Sequence, residues 1–242
     1  LGVDPFAAIK MIFWDPIMSE TFSSYSIPQI FIKGAPLILI ALGLSVGFKA
    51  NIWNIGAEGQ YIMGAIFGAS FALSLYPMES AFIFPLMVLI GIAGGCLWSM
   101  IPAILKIRFN VNEILVSLML VYVAEQILAL ASLGFLRNPD GAGFPGSRNL
   151  SQYPSASNSE LILGTGIHLG VVLSLFMIVF FYILLFRHSL GFKIKLLGSS
   201  PKAYSFSGQN PNKLIFICLM LSGGLAGLAG IMEVSGPAGQ IN

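Results

Sequence analysis

The sequence predicts an all-α fold: a polytopic bundle of about six or more membrane-spanning helices, with a broken or re-entrant segment near residues 51–60. Three observations predict it. Hydrophobic residues make up 56% of the 242 residues and charged residues 9%, where soluble domains are about one quarter charged, so a water-soluble surface cannot be built from this chain. Apolar stretches of about 20 residues, long enough to cross a bilayer core, recur along it. Between the first two of them lies a cluster of amides and a carboxylate that lipid cannot satisfy.

Residues 1–28 mix aromatics with Asp4, Asp15, Glu20 and prolines, too polar for a span but apolar enough for an amphipathic interfacial segment on the extracytoplasmic side. Residues 29–242 are expected to form one transmembrane domain, lacking further helices at both ends. Its first apolar run is about 29–48, flanked by Lys49. The polar stretch Asn51-Ile52-Trp53-Asn54-Ile55-Gly56-Ala57-Glu58-Gly59-Gln60 follows, and then a second run, about 61–76. Asn51, Asn54, Glu58 and Gln60 should face a protein interior or a water-filled passage, because unpaired polar groups in hydrocarbon cost several kcal/mol each. The alternative is a cytoplasmic loop joining two helices.

A third run, 81–105, stops at Lys106 and Arg108, a cytoplasmic signal. The fourth, about 114–136, carries Glu125 inside an apolar helix, where a mid-bilayer carboxylate costs about 2.5–3.5 kcal/mol on insertion scales. Glu125 must bond a neighbouring helix, line a solute path or carry a proton. Residues 137–165 are rich in Gly, Pro, Ser and Asn and read as an exposed extracytoplasmic loop. The fifth run, 166–186, leads into 187–213, with six basic or histidine side chains and no acid, hence cytoplasmic. Within it Pro201 can start a short helix through Phe206, giving either a docking element or an ordinary solvated loop. In the sixth run, 214–232, small residues recur four apart over Ser222 to Gly230, so that helices can approach closely at Gly223, Gly227 and Gly230. Alternation of the six runs puts both basic loops on one side.

Several function classes are excluded. A net charge of +2 is small, and nothing supports a nucleic-acid partner. Cys96 and Cys218 lie in apolar runs and read as core residues. No G-x-x-x-x-G-K-[ST], H-E-x-x-H, G-x-S-x-G or Cys/His cluster is present. His168 and His188 fall at opposite ends of one run. No catalytic residue, metal or cofactor is therefore expected.

The stretch Asn54-Ile55-Gly56-Ala57-Glu58-Gly59-Gln60 resembles a motif of ABC-importer permeases of the branched-chain amino acid and ribose transport superfamily, specifically its nucleoside and simple-sugar branch. Val111-Asn112-Glu113-Ile114 with Met119-Leu120, then Gly198 to Gly208, then Ser222 to Gly230 agree in order, covering residues 34–236. The chain departs at Val121, where the branch has Asn, at Ser200 for Asn and at Tyr204 for Ala. The resemblance implies a permease subunit in a bacterial-type inner membrane. Its implied partners are a second permease subunit, identical or different, an ABC ATPase subunit and an extracytoplasmic solute-binding protein, all within or against the lipid bilayer. It implies a substrate pathway that includes Asn112 and Glu113 beside the 51–60 residues, and ATPase coupling through Gly198, Pro201, Lys202, Ala203 and Gly208. The residue-based alternatives are a secondary transporter with Glu125 as its proton site, or a truncated permease with no complete path.

Overall fold

The computed structural model describes residues 4–242. Two short helices, α1 (Pro5–Phe13, capped by the Asp4 carboxylate) and α2 (Asp15–Met18), precede α3 (Glu20–Lys49). Helix α3 begins well before the apolar run that announced it and carries Pro28 and Pro36 inside its length. Then come α4 (Ala57–Ser74), α5 (Ile83–Phe109), α6 (Glu113–Leu133), a 3-10 turn (Leu150–Gln152), α7 (Leu169–Phe186), α8 (Ser189–Ser199), α9 (Pro201–Phe206) and α10 (Pro211–Ser235). No strand occurs among the described residues.

Five of these helices, α3, α5, α6, α7 and α10, are long and apolar enough to cross a membrane. Helix α4 is the second of the six expected runs and falls outside that set, since Glu58, Gln60 and its glycines dilute its apolar content. Burial explains how it is tolerated. Helix α10 is the axis of the bundle: 72% of its apolar span is buried, against 22–33% for the other four. Helices α3, α4 and α5 pack around it, while α6 leans on α4 and α5 and α7 leans on α3.

Small residues set this arrangement. A methyl group on Gly227 would come within 2.5 Å of the Gly91 carbonyl oxygen and 3.0 Å of the Gly95 Cα, and one on Gly64 would collide with the Gly227 backbone. Backbones of α4, α5 and α10 thus touch directly, the close approach that drives helix association where lipid offers no hydrophobic force. Gly223 lies against Ser99 and Gly230 against the Tyr61 carbonyl. Cys96 is half-buried and Cys218 fully buried in this core, both as free thiols.

Residues 134–168 are exposed only in part. Leu150, Tyr153 and Ala156 are buried, and the segment folds over the ends of α4 and α10 as a cap. It is sewn to the end of α10 and the chain beyond it: the Ser147 N–H donates to the Ile241 carbonyl at 2.8 Å, the Leu150 N–H to Gly239 at 2.6 Å and the Asn158 N–H to Ser235 at 2.9 Å. The Tyr153 hydroxyl donates to the Met78 carbonyl. Gly- and Pro-rich composition signals irregular backbone, but burial is decided by partners that composition does not reveal.

Candidate functional site

Helix α3 ends in a left-handed residue, Asn51 at φ +58°. The Ile52 N–H donates to the Gly47 carbonyl at 2.9 Å and the Asn51 N–H to Phe48 at 3.1 Å, a Schellman closure. This turns the chain back into the bundle. Residues 51–56 are non-helical, and α4 starts at Ala57. The break is therefore shorter than the polar stretch, with Glu58 and Gln60 on the first turn of α4.

The re-entering segment is pinned by side chains. The Asn54 amide donates to Gln60 Oε1 at 2.8 Å and to Ser222 Oγ on α10 at 2.9 Å, while Gln60 Nε2 donates back to Asn54 Oδ1 at 3.0 Å. That oxygen also accepts the Gly56 N–H at 3.2 Å, and the Ile55 N–H donates to Ser117 Oγ on α6 at 3.2 Å. Asn54 and Gln60 are each 1% exposed. Ser222 stands eleven residues into α10, about 16 Å along its axis, so the knot lies deep in the bundle. Both amides already satisfy each other there. Asn51 and Glu58, by contrast, are exposed.

The start of α6 is likewise committed to structure. The Asn112 carboxamide caps the helix by accepting the Ile114 N–H at 2.9 Å, and Glu113, 6% exposed, pairs with Lys106 at 2.5 Å. Further along, Glu125 is exposed, one turn beyond Tyr122 and beside Gln126, also exposed. Helix α6 packs through one side only, so these polar groups lie on its uncovered face. The i, i+3, i+4 spacing of Tyr122, Glu125 and Gln126 is legible in the sequence, where Glu125 alone drew notice.

On the opposite side of the break, α8 and α9 form a platform. Sequence reading expected only the short helix now seen as α9, which Ser200 caps by accepting the Ala203 N–H at 3.3 Å. Ile194, Leu197 and Tyr204 are buried against Ala50, Ile52, Leu214 and Cys218. Tyr204 thus serves as an anchor. Pro201, Lys202, Ala203 and Gly208 are exposed, Gly208 at φ +75°, and Phe206 is 91% exposed. Gly198 sits so close to the last turn of α3 that any side chain would overlap the Lys49 carbonyl. The platform, the end of α3 and the re-entering segment are therefore in direct succession. Ser117, Ser222 and the Gly198–Lys49 contact escaped the sequence reading, since each depends on which helices become neighbours.

Comparison with known proteins agrees with these features. The family described as branched-chain amino acid transport system / permease component matches residues 26–241. The chain is 29% identical to the glucose ABC transporter permease protein TsgB13 of Haloferax volcanii, over 99% of this chain and 64% of the relative. It is 29% identical to the guanosine ABC transporter permease protein NupP of Bacillus subtilis, over 91% of this chain and 62% of the relative. The nucleoside ABC transporter permease protein NupB of Lactococcus lactis is also 29% identical, over 90% and 61%. The chain thus spans about three fifths of the length of these relatives. No solved structure matches it. With a family match over nearly all its length and five helices long and apolar enough to cross a membrane, this chain is a multi-pass membrane protein of the branched-chain amino acid transport system permease family.

Proposed function

We propose that the chain is the membrane-spanning subunit of an ATP-driven importer for a nucleoside or a simple sugar, in a bacterial-type inner membrane. The observation that carries the reading is the polar, uncovered face of α6, with Glu125 and Gln126 exposed inside an apolar span. A carboxylate and an amide at such a place require water or protein, and a passage shared with a second permease subunit supplies both. Glu58, exposed on the first turn of the broken helix, is assigned to the same passage. Asn51 is placed at its cytoplasmic margin, and Asn54, Gln60, Asn112 and Glu113 shape it from behind. Neutral hydroxylated solutes suit acceptors of this kind, and the names of the relatives include glucose, guanosine and nucleoside permeases.

In this reading α9 docks a separate ABC ATPase, and a solute-binding protein delivers cargo to the cap formed by residues 134–168. Two outcomes test it. In cells expressing the transporter with its ATPase, Glu58→Ala is expected to abolish ATP-dependent uptake of labelled nucleoside or sugar with the amount of inserted protein unchanged. Uptake that survives ATP depletion and collapses with the proton gradient would instead favour a secondary transporter working through Glu125. Phe206→Ala is expected to cut co-purification of the ATPase at least tenfold while leaving the permease inserted, because a nearly bare aromatic ring fits the role of a docking anchor. Full retention of the ATPase would remove α9 from the docking surface.

A further inference from the structure

A second polar concentration lies at the end of the bundle remote from α8 and α9. Between α3, the end of α10 and the segment leading into α7 is a cavity of about 370 Å³, within the range of small-molecule sites, roughly 300–1,000 Å³. Gln29 and Lys33, one turn apart on α3, form one wall, and Asn158, Glu160 and His168 form the other. Lys33 Nζ bonds Glu233 Oε1 of α10 at 3.3 Å.

The hydrogen-bonding capacity here is only partly used. His168 is 2% exposed, lines the cavity, and its Nδ1 has no partner; the second carboxylate oxygen of Glu233 is buried and unpartnered too. The Asn158 amide donates only to the Met232 sulfur, at 3.5 Å, a weak acceptor. Glu160 spends one oxygen on the Gly164 N–H at 2.7 Å and has the other available. Burial also lowers the His168 pKa from its ordinary value, against smaller opposing effects of the Gly166 backbone and Glu233. Lys33 is already matched by Glu233, and no further cation lines the cavity. Anionic ligands would therefore meet the Glu160 carboxylate and no spare positive charge. A neutral molecule bearing several hydroxyls would meet acceptors and donors alternating on both walls.

We infer that this vestibule is a solute-binding site for a neutral polyhydroxylated molecule such as a hexose or the ribose of a nucleoside, holding it before it crosses. The cargo class rests on the importer reading above, while the site itself stands on the cavity and its unpartnered groups. Cysteine protection separates the two. In the full-length transporter with Cys96→Ser and Cys218→Ala, Gln29→Cys is reacted with a membrane-impermeant maleimide, with and without glucose or guanosine, and uptake of the same solutes is measured in parallel. One of the two solutes is expected to slow labelling at least threefold, and Asn158→Leu or Glu160→Gln is expected to remove that protection. Protection together with ATP-dependent uptake supports both site and importer. Protection without uptake supports the site and overturns the importer reading. Uptake with no protection by either solute, or with protection unchanged in both wall variants, overturns the site. A Gln29→Cys thiol that never reacts also overturns it, since the cavity is then closed to solutes.

Discussion

Gly227→Val is expected to leave almost no folded permease. In wild type the α10 backbone rests on α5 and α4 through glycines on all three helices, and a first added carbon at Gly227 would already lie 2.5 Å from the Gly91 carbonyl oxygen. No flexible side chain can move aside, because the opposing atoms are backbone. Overpacking a core usually costs about 1–3 kcal/mol, occasionally more. Here α10 must separate from two neighbours at once, so the upper end or beyond applies, against a total stability of only about 5–15 kcal/mol for typical domains. The monodisperse fraction of a detergent-extracted fluorescent fusion reads this directly, and a tenfold loss is expected. Gly34→Ala is the control: a methyl group there meets nothing within 4 Å, and helix propensity slightly favours alanine. A wild-type profile for Gly227→Val would show that the helices are not in backbone contact.

The second large effect is expected at the amide knot. Asn54→Leu removes both partners of Gln60 and the bond to Ser222. Each polar group left buried without a partner costs about 1–3 kcal/mol, and the Gln60 carboxamide contributes a donor and an acceptor. Unfolding in graded denaturant should show a loss of about 2–4 kcal/mol on that basis. The double variant Asn54→Leu with Gln60→Leu should recover much of that loss, since replacing both partners by apolar groups can be nearly neutral. Transport should not recover with it, because the re-entering segment loses its fixed position. Equal stability in the single and double variants would mean that the amides are not paired.

The fold is largely legible in the sequence, for a physical reason. Hydrocarbon forces long apolar stretches into helices, so six runs yielded six helices, and Pro201 marked α9. Limits appeared wherever an outcome depended on neighbours. Glu20 to Pro28 belongs to α3 although its polarity resembles an interfacial segment, and the Gly-rich 137–165 stretch is partly buried through bonds to residues around 235–241. At the site, the motif from Asn54 to Gln60 marked the segment that re-enters the bundle. It did not separate Glu58, which is exposed, from Asn54 and Gln60, which bond each other. That distinction is a matter of helical phase after the break at residues 51–56, and the break is set by Asn51 adopting a left-handed conformation. The pairing of Glu113 with Lys106 likewise depends on how the turn between α5 and α6 closes.

The poor apolar content of α4 bears on how the protein is made. A segment carrying Glu58 and Gln60 so near its start has little drive to partition from the translocon into lipid, and the surface that shelters it is shared between α5 and α10, the latter synthesised only after α6 and α7. During biogenesis α4 must wait, held by the insertion machinery or by α5, until α10 arrives to seal it. Interrupting synthesis between α7 and α10 should therefore strand α4 in a state that quality-control proteases recognise.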